Sequence, residues 1–172
     1  PDGSIDLEGV KNAISEKTRM VTVQRATGYA WRKAITIDQI EEWAKFVTEI
    51  NPNIVKMTDN CYGEFLDIKE PTDVGADIIM GSMIKNIGGG IAPTGGYVAG
   101  KEKLINMIAC HLFSPALGID SGSYSEGYKL ILQGLFVAPH IVAQAKKVAV
   151  LTSQCVNSLG YPTIPSANDI MS

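Results

Sequence analysis

The chain alternates short runs of apolar, β-branched residues with longer segments of helical periodicity, and this alternation limits the folds that it can adopt. Apolar residues at helical spacing predict a helix over residues 5–17 and another from Thr36 to about Ile50. Four short runs are typical of strands: residues 20–24, 54–58, 76–80 and 94–100. Strands that alternate with helices favour an α/β fold with a mostly parallel sheet flanked by helices.

The second half of the chain is predicted to be mainly helical. A helical pattern begins at Lys101, a break is expected over residues 114–122, and a long helix should run from about Ser125 to Leu159. The glycine triplet at 88–90 is predicted to be a flexible loop that lets the backbone pass close to a cofactor or a partner subunit.

Polar side chains follow three of the predicted strands at the points where these strands end. Gln24 and Arg25 come at the end of the first strand, Asp59 after the second, and Ser82 and Lys85 after the third. Ligands of parallel α/β sheets bind beyond the carboxyl ends of the strands. We therefore expect these side chains to converge on one edge of the sheet and to form the functional site there.

Composition and charge disfavour several classes of function. The chain has 172 residues, of which 45% are hydrophobic and 19% charged, and its net charge of −3 provides no basic face for nucleic acid. The most apolar stretch, residues 130–151, contains Lys146 and Lys147, which disfavours a membrane span. The three cysteines lie far apart and form no CxxC pair, so reduced thiols in a cytoplasmic protein are predicted.

Lys85 is the strongest candidate for a catalytic residue. A lysine that forms an imine must lose its proton readily, and burial lowers the pKa of a lysine. Lys85 lies among small and apolar residues, so we expect its amine to be partly desolvated and its pKa to be lowered. Spacing alone, however, favours the alternative that Lys85 is a solvated surface residue.

Three other polar residues could complete a site for pyridoxal phosphate around this lysine. Ser82, three residues earlier, could bind a phosphate group together with backbone N–H groups. The carboxylate of Asp59 could pair with the protonated ring nitrogen, and the hydroxyl of Tyr62 could face the phenolic oxygen of the ring. Structural alternatives remain open: Asp59 with Asn60 could form an Asx turn, and Tyr62 could be a half-buried core residue.

Other candidate groups have weaker support in the sequence. His111 and His140 have no second ligand at a metal-binding spacing, so no metal site is expected. Cys61 has no histidine near it in the sequence and is predicted to be a small buried core residue rather than a nucleophile. Glu64 is predicted either to hold nearby backbone or to be a solvated loop carboxylate.

Five motifs are the most specific features of the chain. They are QRATGY at 24–29, DNCYGEF at 59–65, GAD at 75–77, GSMIKN at 81–86 and GGGIAPTGGY at 88–97. Together they resemble the fold-type-I pyridoxal-phosphate enzymes, most closely the aluminium-resistance, methionine gamma-lyase-like group. The resemblance extends over nearly the whole chain, and the last two motifs are the most specific.

This resemblance implies part of an aspartate-aminotransferase-like large domain, with pyridoxal 5′-phosphate as the cofactor. It implies that Lys85 binds the cofactor as a Schiff base and that Asp59 pairs with its ring nitrogen. Ser82 would bind the phosphate, and Tyr62 would lie near the phenolic oxygen. The implied function is that of a carbon–sulfur lyase that acts on a sulfur amino acid by elimination. The alternative is a truncated or non-catalytic homologue that serves as an assembly partner.

The chain departs from better-known members of this superfamily at two places. Ile84 stands directly before Lys85, where those lyases carry a hydroxyl residue that also binds phosphate. The QRATGY motif occupies the position of an Asn-Pro-Thr-Gly-like turn, so a cofactor contact from Gln24 or Arg25 is a hypothesis.

The resemblance further implies that the chain is a central fragment of a longer protein. Residues 1–123 would form part of the cofactor-binding large domain, 124–160 the long connecting helix, and 161–172 the start of an absent C-terminal small domain. Fold-type-I enzymes usually complete their sites across a dimer, so the intact protein is expected to be a homodimer or homotetramer. The fragment alone is expected to bind the cofactor poorly, because the site would stay exposed to water.

Overall fold

Helices and a four-stranded sheet form the described part of the chain, which comprises residues 3–113, 115–121 and 127–169 of a computed structural model. The helices are α1 (Leu7–Ala13), α2 (Ile37–Ile50), α3 (Glu102–Leu112) and α4 (Lys129–Ser158). The strands are β1 (Met20–Gln24), β2 (Val55–Asp59), β3 (Ile78–Ser82) and β4 (Gly96–Gly100). Short 3-10 helices at Pro71–Val74, Asn86–Gly88 and Gly118–Ser121 lie between them.

The sheet has the strand order β1-β2-β3-β4, with the first three strands parallel and β4 antiparallel to β3. Asp59 lies opposite Gln24 on one side and opposite Met80 on the other. The carboxyl ends of β1, β2 and β3 therefore meet at one edge, as the sequence predicts. The prediction of an α/β fold with a mostly parallel sheet is confirmed.

Helix α2 supplies much of the core beneath the sheet. Thr36 begins it with a capping box: its hydroxyl accepts a hydrogen bond from Gln39 N at 3.2 Å, and Gln39 Oε1 accepts one from Thr36 N at 2.9 Å. The inner face places Ile40 and Val47 in the core, fully buried, next to Val23 of β1. Burial of each aliphatic side chain contributes about 1.5–3 kcal/mol, which anchors the helix against the sheet.

Two predicted helices differ from the observed ones at their ends. Helix α1 is shorter than the predicted 5–17 segment, because the Asp6 side chain caps it by accepting from Gly9 N at 2.8 Å and Ile14 is already extended. The predicted start of the long helix at Ser125 lies outside the described residues, as does part of the predicted break (Ser114 and Gly122). The described helix begins at Lys129.

The first two glycines of the triplet pack tightly against α4, so the prediction of a flexible loop is wrong for them. Gly88 and Gly89 are buried, and Gly88 ends a 3-10 helix. A Cβ atom added at Gly89 would lie 2.4 Å from the Gly134 carbonyl oxygen, and one added at Gly134 would lie 2.2 Å from that of Gly88. The small residues therefore allow two backbones to approach closely, which holds the segment after Lys85 against the helix.

Asp77 forms a buried ion pair at the amino ends of β2 and β3, the end of the sheet opposite the predicted site. Its Oδ2 atom lies 3.0 Å from Lys56 Nζ and accepts a hydrogen bond from Lys56 N at 2.7 Å. Its Oδ1 atom pairs with the largely exposed Lys101. One carboxylate thus joins segments next to three strands, β2, β3 and β4.

The substitution Asp77→Asn is expected to destabilise the chain by about 3–5 kcal/mol, because it leaves the Lys56 ammonium buried without a counter-charge. Burial raises the pKa of Asp77, but hydrogen bonds from Lys101 and Lys56 lower it more, so the pKa lies below its usual value. The stability that this carboxylate contributes is therefore complete above about pH 4 and is lost as the pH falls through the lowered pKa of the folded chain.

Urea denaturation of the wild type and of Asp77→Asn at a series of pH values measures this effect. We expect the two free energies of unfolding to converge in acid. A difference that stays constant down to about pH 2, below the usual carboxyl pKa, would contradict the assignment.

Among the helices in the described part of the chain, α4 alone is long and apolar enough to cross a membrane, judged by length and composition. Of its apolar window, 17% is buried. Gly134, Ala138 and Val142 of α4 are buried, and the first of these contacts the glycine triplet. That this segment does not span a membrane stays a prediction.

Candidate active site

The turn after β3 and the loop after β2 bring Lys85 and Tyr62 into contact. Lys85 Nζ lies 4.7 Å from the centroid of the Tyr62 ring, a cation–π distance. The turn that carries the lysine is closed by a hydrogen bond from Lys85 N to the Ser82 carbonyl oxygen at 3.1 Å. Lys85 is half-buried and Tyr62 is 48% exposed, so both side chains border solvent rather than the core.

Asp59 is the last residue of β2 and faces the same group of residues. Its Oδ1 atom accepts a hydrogen bond from Cys61 N at 3.0 Å, so the Asx turn that the sequence left open is present. The carboxylate also interacts electrostatically with Lys85. Ser82, the last residue of β3, is half-buried beside them. The structure thus places the four predicted residues at one sheet edge, while their roles stay predictions.

Cys61 belongs to this group, and the prediction that it is a buried core residue is wrong. The thiol is half-buried between Asp59 and Lys85. Burial, followed by the neighbouring Asp59 carboxylate, raises its pKa, so it is a neutral thiol near pH 7. A protonated thiol is a poor nucleophile, which agrees with the prediction that Cys61 does not act as one.

The pKa of Lys85 is raised, whereas the sequence predicted that it would be lowered. Burial lowers it, but Cys61, Tyr62 and Asp59 together raise it more, so the net pKa is above that of an ordinary lysine. The expected lowering is wrong because a half-buried amine keeps much of its hydration while groups that can become anionic face it. Lys85 therefore carries a proton at neutral pH in this cofactor-free chain.

Arg25 and Glu64 are buried beneath the site. Arg25 is fully buried, and its Nη1 atom donates to Asn60 Oδ1 at 2.8 Å and to the Gly63 carbonyl at 3.0 Å. The hypothesis that its guanidinium contacts a cofactor is therefore wrong. The side chain of Gln24 is exposed, and its role stays a hypothesis.

Glu64 connects the loop after β2 to the segments around Lys85. Only 3% of Glu64 is exposed, which excludes the solvated carboxylate, while the backbone-holding role stays a prediction. Its Oε1 atom accepts a hydrogen bond from Tyr97 Oη at 2.8 Å, and its carbonyl accepts one from Asn86 Nδ2 at 3.2 Å. Burial raises the pKa of this carboxyl. The sequence did not indicate that Tyr97 and Asn86 pair with Glu64. The partners lie 33 and 22 residues apart, and no local pattern marks either pairing.

A cavity of about 320 Å³ lies beside Tyr62 and Asn86, between these residues and α4. Its walls are mainly apolar, and Lys146 is a cation on its rim whose Nζ atom donates to the Leu66 carbonyl at 3.3 Å. This volume is sufficient for a small molecule. Within the described ranges, no group of three or more His, Cys, Asp or Glu side chains could hold a metal ion.

The family of the chain is established by comparison with known proteins. The family model for methionine gamma-lyase matches residues 1–172, the whole sequence. The chain belongs to this family. A relative from Bacillus subtilis, the uncharacterised protein YnbB, is 44% identical over 164 residues, which are 95% of this chain and 39% of that protein.

Solved structures of similar proteins have the same fold. A protein from Listeria innocua, described as a provisional cystathionine beta-lyase involved in aluminium resistance, superposes with a TM-score of 0.93 at 45% identity. The superposition covers 98% of this chain and 41% of the Listeria innocua protein. A carbon–sulfur lyase involved in aluminium resistance from Clostridium novyi has a TM-score of 0.90 at 43% identity, with the same coverage.

The methionine gamma-lyase family membership confirms the resemblance that the motifs indicate. The chain spans about two-fifths of the length of the Bacillus subtilis relative and of both solved structures. The boundaries predicted at residues 123 and 160 stay predictions.

Proposed function

We propose that this chain carries the cofactor lysine of a pyridoxal-phosphate-dependent carbon–sulfur lyase, which acts on a sulfur amino acid by elimination. The observation that supports this most directly is the contact between Lys85 and Tyr62 at the sheet edge where Asp59 also lies. Membership of a lyase family and two solved relatives with carbon–sulfur lyase names point to the same chemistry.

The groups at this edge fit pyridoxal phosphate by their chemistry. A primary amine can hold the aldehyde carbon, and a carboxylate can hold a proton on the ring nitrogen. The hydroxyls of Tyr62 and Ser82 suit the phenolic oxygen and the phosphate group, respectively. When bound, the cofactor supplies an electron sink for negative charge at the α-carbon of an amino acid.

The chain's own residues would then carry out the proton transfers. Lys85 would hold the cofactor and afterwards, as a free amine, take the α-proton of the substrate as a general base. Its raised pKa means that the proton it carries in the cofactor-free chain must leave before either role begins. Asp59 would keep the ring nitrogen protonated, and the sulfur group of the substrate would leave as a thiolate that takes up a proton when the carbon–sulfur bond breaks.

The intact protein would be a cytoplasmic homodimer or homotetramer. Large apolar side chains on α3 and α4 are exposed, among them Met107 at 61%, Leu132 at 61% and Phe136 at 87%. Apolar surface of this kind is usually covered, either by other parts of the same protein or by a partner subunit.

Borohydride reduction in the presence of pyridoxal phosphate tests the proposal. The experiment uses the product of the complete open reading frame, followed by digestion and mass spectrometry. We expect one reduced cofactor on the peptide that contains Lys85, and none on peptides that contain Lys101 or Lys146. An assembled protein without any label at Lys85 would favour a non-catalytic assembly role instead.

A further inference from the structure

Arg25 lies inside the loop that follows β2, and it contacts this loop at two points and the last residue of β2 at a third. Its backbone N donates to the Asp59 carbonyl at 3.0 Å. Its Nη1 atom donates to Asn60 Oδ1 at 2.8 Å and to the Gly63 carbonyl at 3.0 Å. A Cβ atom at Gly63 would lie 2.6 Å from that same Nη1 atom, so the loop closes tightly around the guanidinium. One buried side chain thus bonds the loop at both Asn60 and Gly63, on either side of Tyr62.

Glu70 holds the same loop from its far end. Its Oε2 atom accepts a hydrogen bond from Asn60 Nδ2 at 2.8 Å and lies 3.7 Å from Arg25 Nη1. Its Oε1 atom accepts a hydrogen bond from Phe65 N at 3.0 Å. Both ends of the Asn60 amide are therefore bonded, one to the cation and the other to the carboxylate. We call Arg25, Asn60 and Glu70 the loop clamp.

The loop clamp holds backbone that would otherwise relax. Tyr62 and Phe65 have φ values of 65° and 62°, in the left-handed region that non-glycine residues rarely adopt. Each such residue costs about 1–3 kcal/mol and persists only where the surroundings impose it. The clamp bonds Gly63, next to Tyr62, and Phe65 itself. Without these bonds, the Tyr62 ring would be free to leave its position against Lys85.

We infer that Arg25 and Glu70 are positioning residues, which hold Tyr62 against Lys85 without touching the cofactor themselves. This inference rests on the proposed function. A buried ion pair is a weak source of stability, since apolar residues of similar volume often stabilise as well or better. Apolar residues would not bond Asn60, Gly63 and Phe65, however, and would therefore leave the loop unpositioned.

The test uses the product of the complete open reading frame and the variants Arg25→Lys and Glu70→Gln. The substitution Arg25→Lys keeps the positive charge but loses the planar guanidinium with its several N–H donors. The substitution Glu70→Gln keeps the shape of the side chain but loses its negative charge. Asp77→Asn is the matched control, because it also removes the carboxylate partner of a buried cation but lies at the opposite end of the sheet. The readouts are the pyridoxal-phosphate Kd, the pH midpoint of the bound cofactor's visible absorbance, kcat and KM.

We expect both clamp variants to raise the Kd for pyridoxal phosphate, to shift the pH midpoint and to lower kcat by about 100-fold, as displacements near 1 Å can do. Asp77→Asn should lose stability but keep the wild-type Kd and midpoint. If Arg25→Lys does not fold, Glu70→Gln decides alone. Clamp variants that keep the wild-type Kd, midpoint and kcat, as the control does, would overturn the inference.

Hydrogen exchange of the cofactor-free protein separates this inference from the proposed function. Failure of the wild type to bind pyridoxal phosphate would refute the proposed function and leave the exchange measurement to decide on the clamp. The amides of residues 61–66 should exchange faster in Glu70→Gln than in the wild type, and by a larger factor than the amides of α2. Equal exchange over residues 61–66 in Glu70→Gln and the wild type would overturn the clamp.

Discussion

Lys85→Ala is expected to lower kcat/KM of the intact protein by about 10⁴-fold, at the upper end of what the loss of a single general base costs. The effect is this large because the substitution removes the amine that would hold the cofactor as well as the base that would take the α-proton. Steady-state release of thiol from a sulfur amino acid, with the visible absorbance of the bound cofactor recorded in parallel, measures the loss.

Lys45→Ala is a suitable control for this substitution. Lys45 is an exposed lysine on α2 that pairs with Glu41 on the same helix, so its removal should leave turnover unchanged. If Lys85→Ala kept turnover within tenfold of the wild type, Lys85 would be neither the cofactor lysine nor the base.

Gly88→Ala is expected to destabilise the chain by at least about 3 kcal/mol, the upper range for overpacking in a core. A Cβ atom there would lie 1.6 Å from the Met83 carbonyl oxygen and 2.9 Å from the Ala92 Cβ atom. The first of these is a backbone atom in the turn that carries Lys85, so relief of the clash must displace that turn. Urea denaturation measures the stability, and the cofactor absorbance of the intact protein reports on the turn.

Gly90→Ala provides a matched control within the same triplet. A Cβ atom at Gly90 would meet no atom within 4 Å, but its φ of 71° is left-handed. We therefore expect this variant to lose only about 1–2 kcal/mol, the cost of the backbone conformation. Equal losses for Gly88→Ala and Gly90→Ala would mean that close packing against Met83 is not what requires glycine at position 88.

Local patterns sufficed for the sheet and for the place of the site. Apolar runs such as 20–24 and 54–58 identify the parallel strands, because strand formation depends on residues within the run. Once the strands are parallel, Asp59 and Ser82 must meet at one edge. The long motif around Lys85 then indicated the family, which the family model confirms.

Long-range contacts decided the properties that the sequence predicted wrongly. The direction of the Lys85 pKa depends on which groups face the amine across the loop, and Arg25 is buried because Asn60, 35 residues later, closes over it. Gly88 and Gly89 are closely packed because Gly134 lies against them.

The sequence by itself thus determined which strands form and to which family the chain belongs, because each follows from residues that are neighbours along the chain. Only the tertiary structure decided protonation, burial and close packing. These depend on the distances between atoms of remote segments, and a one-dimensional pattern carries no such distances.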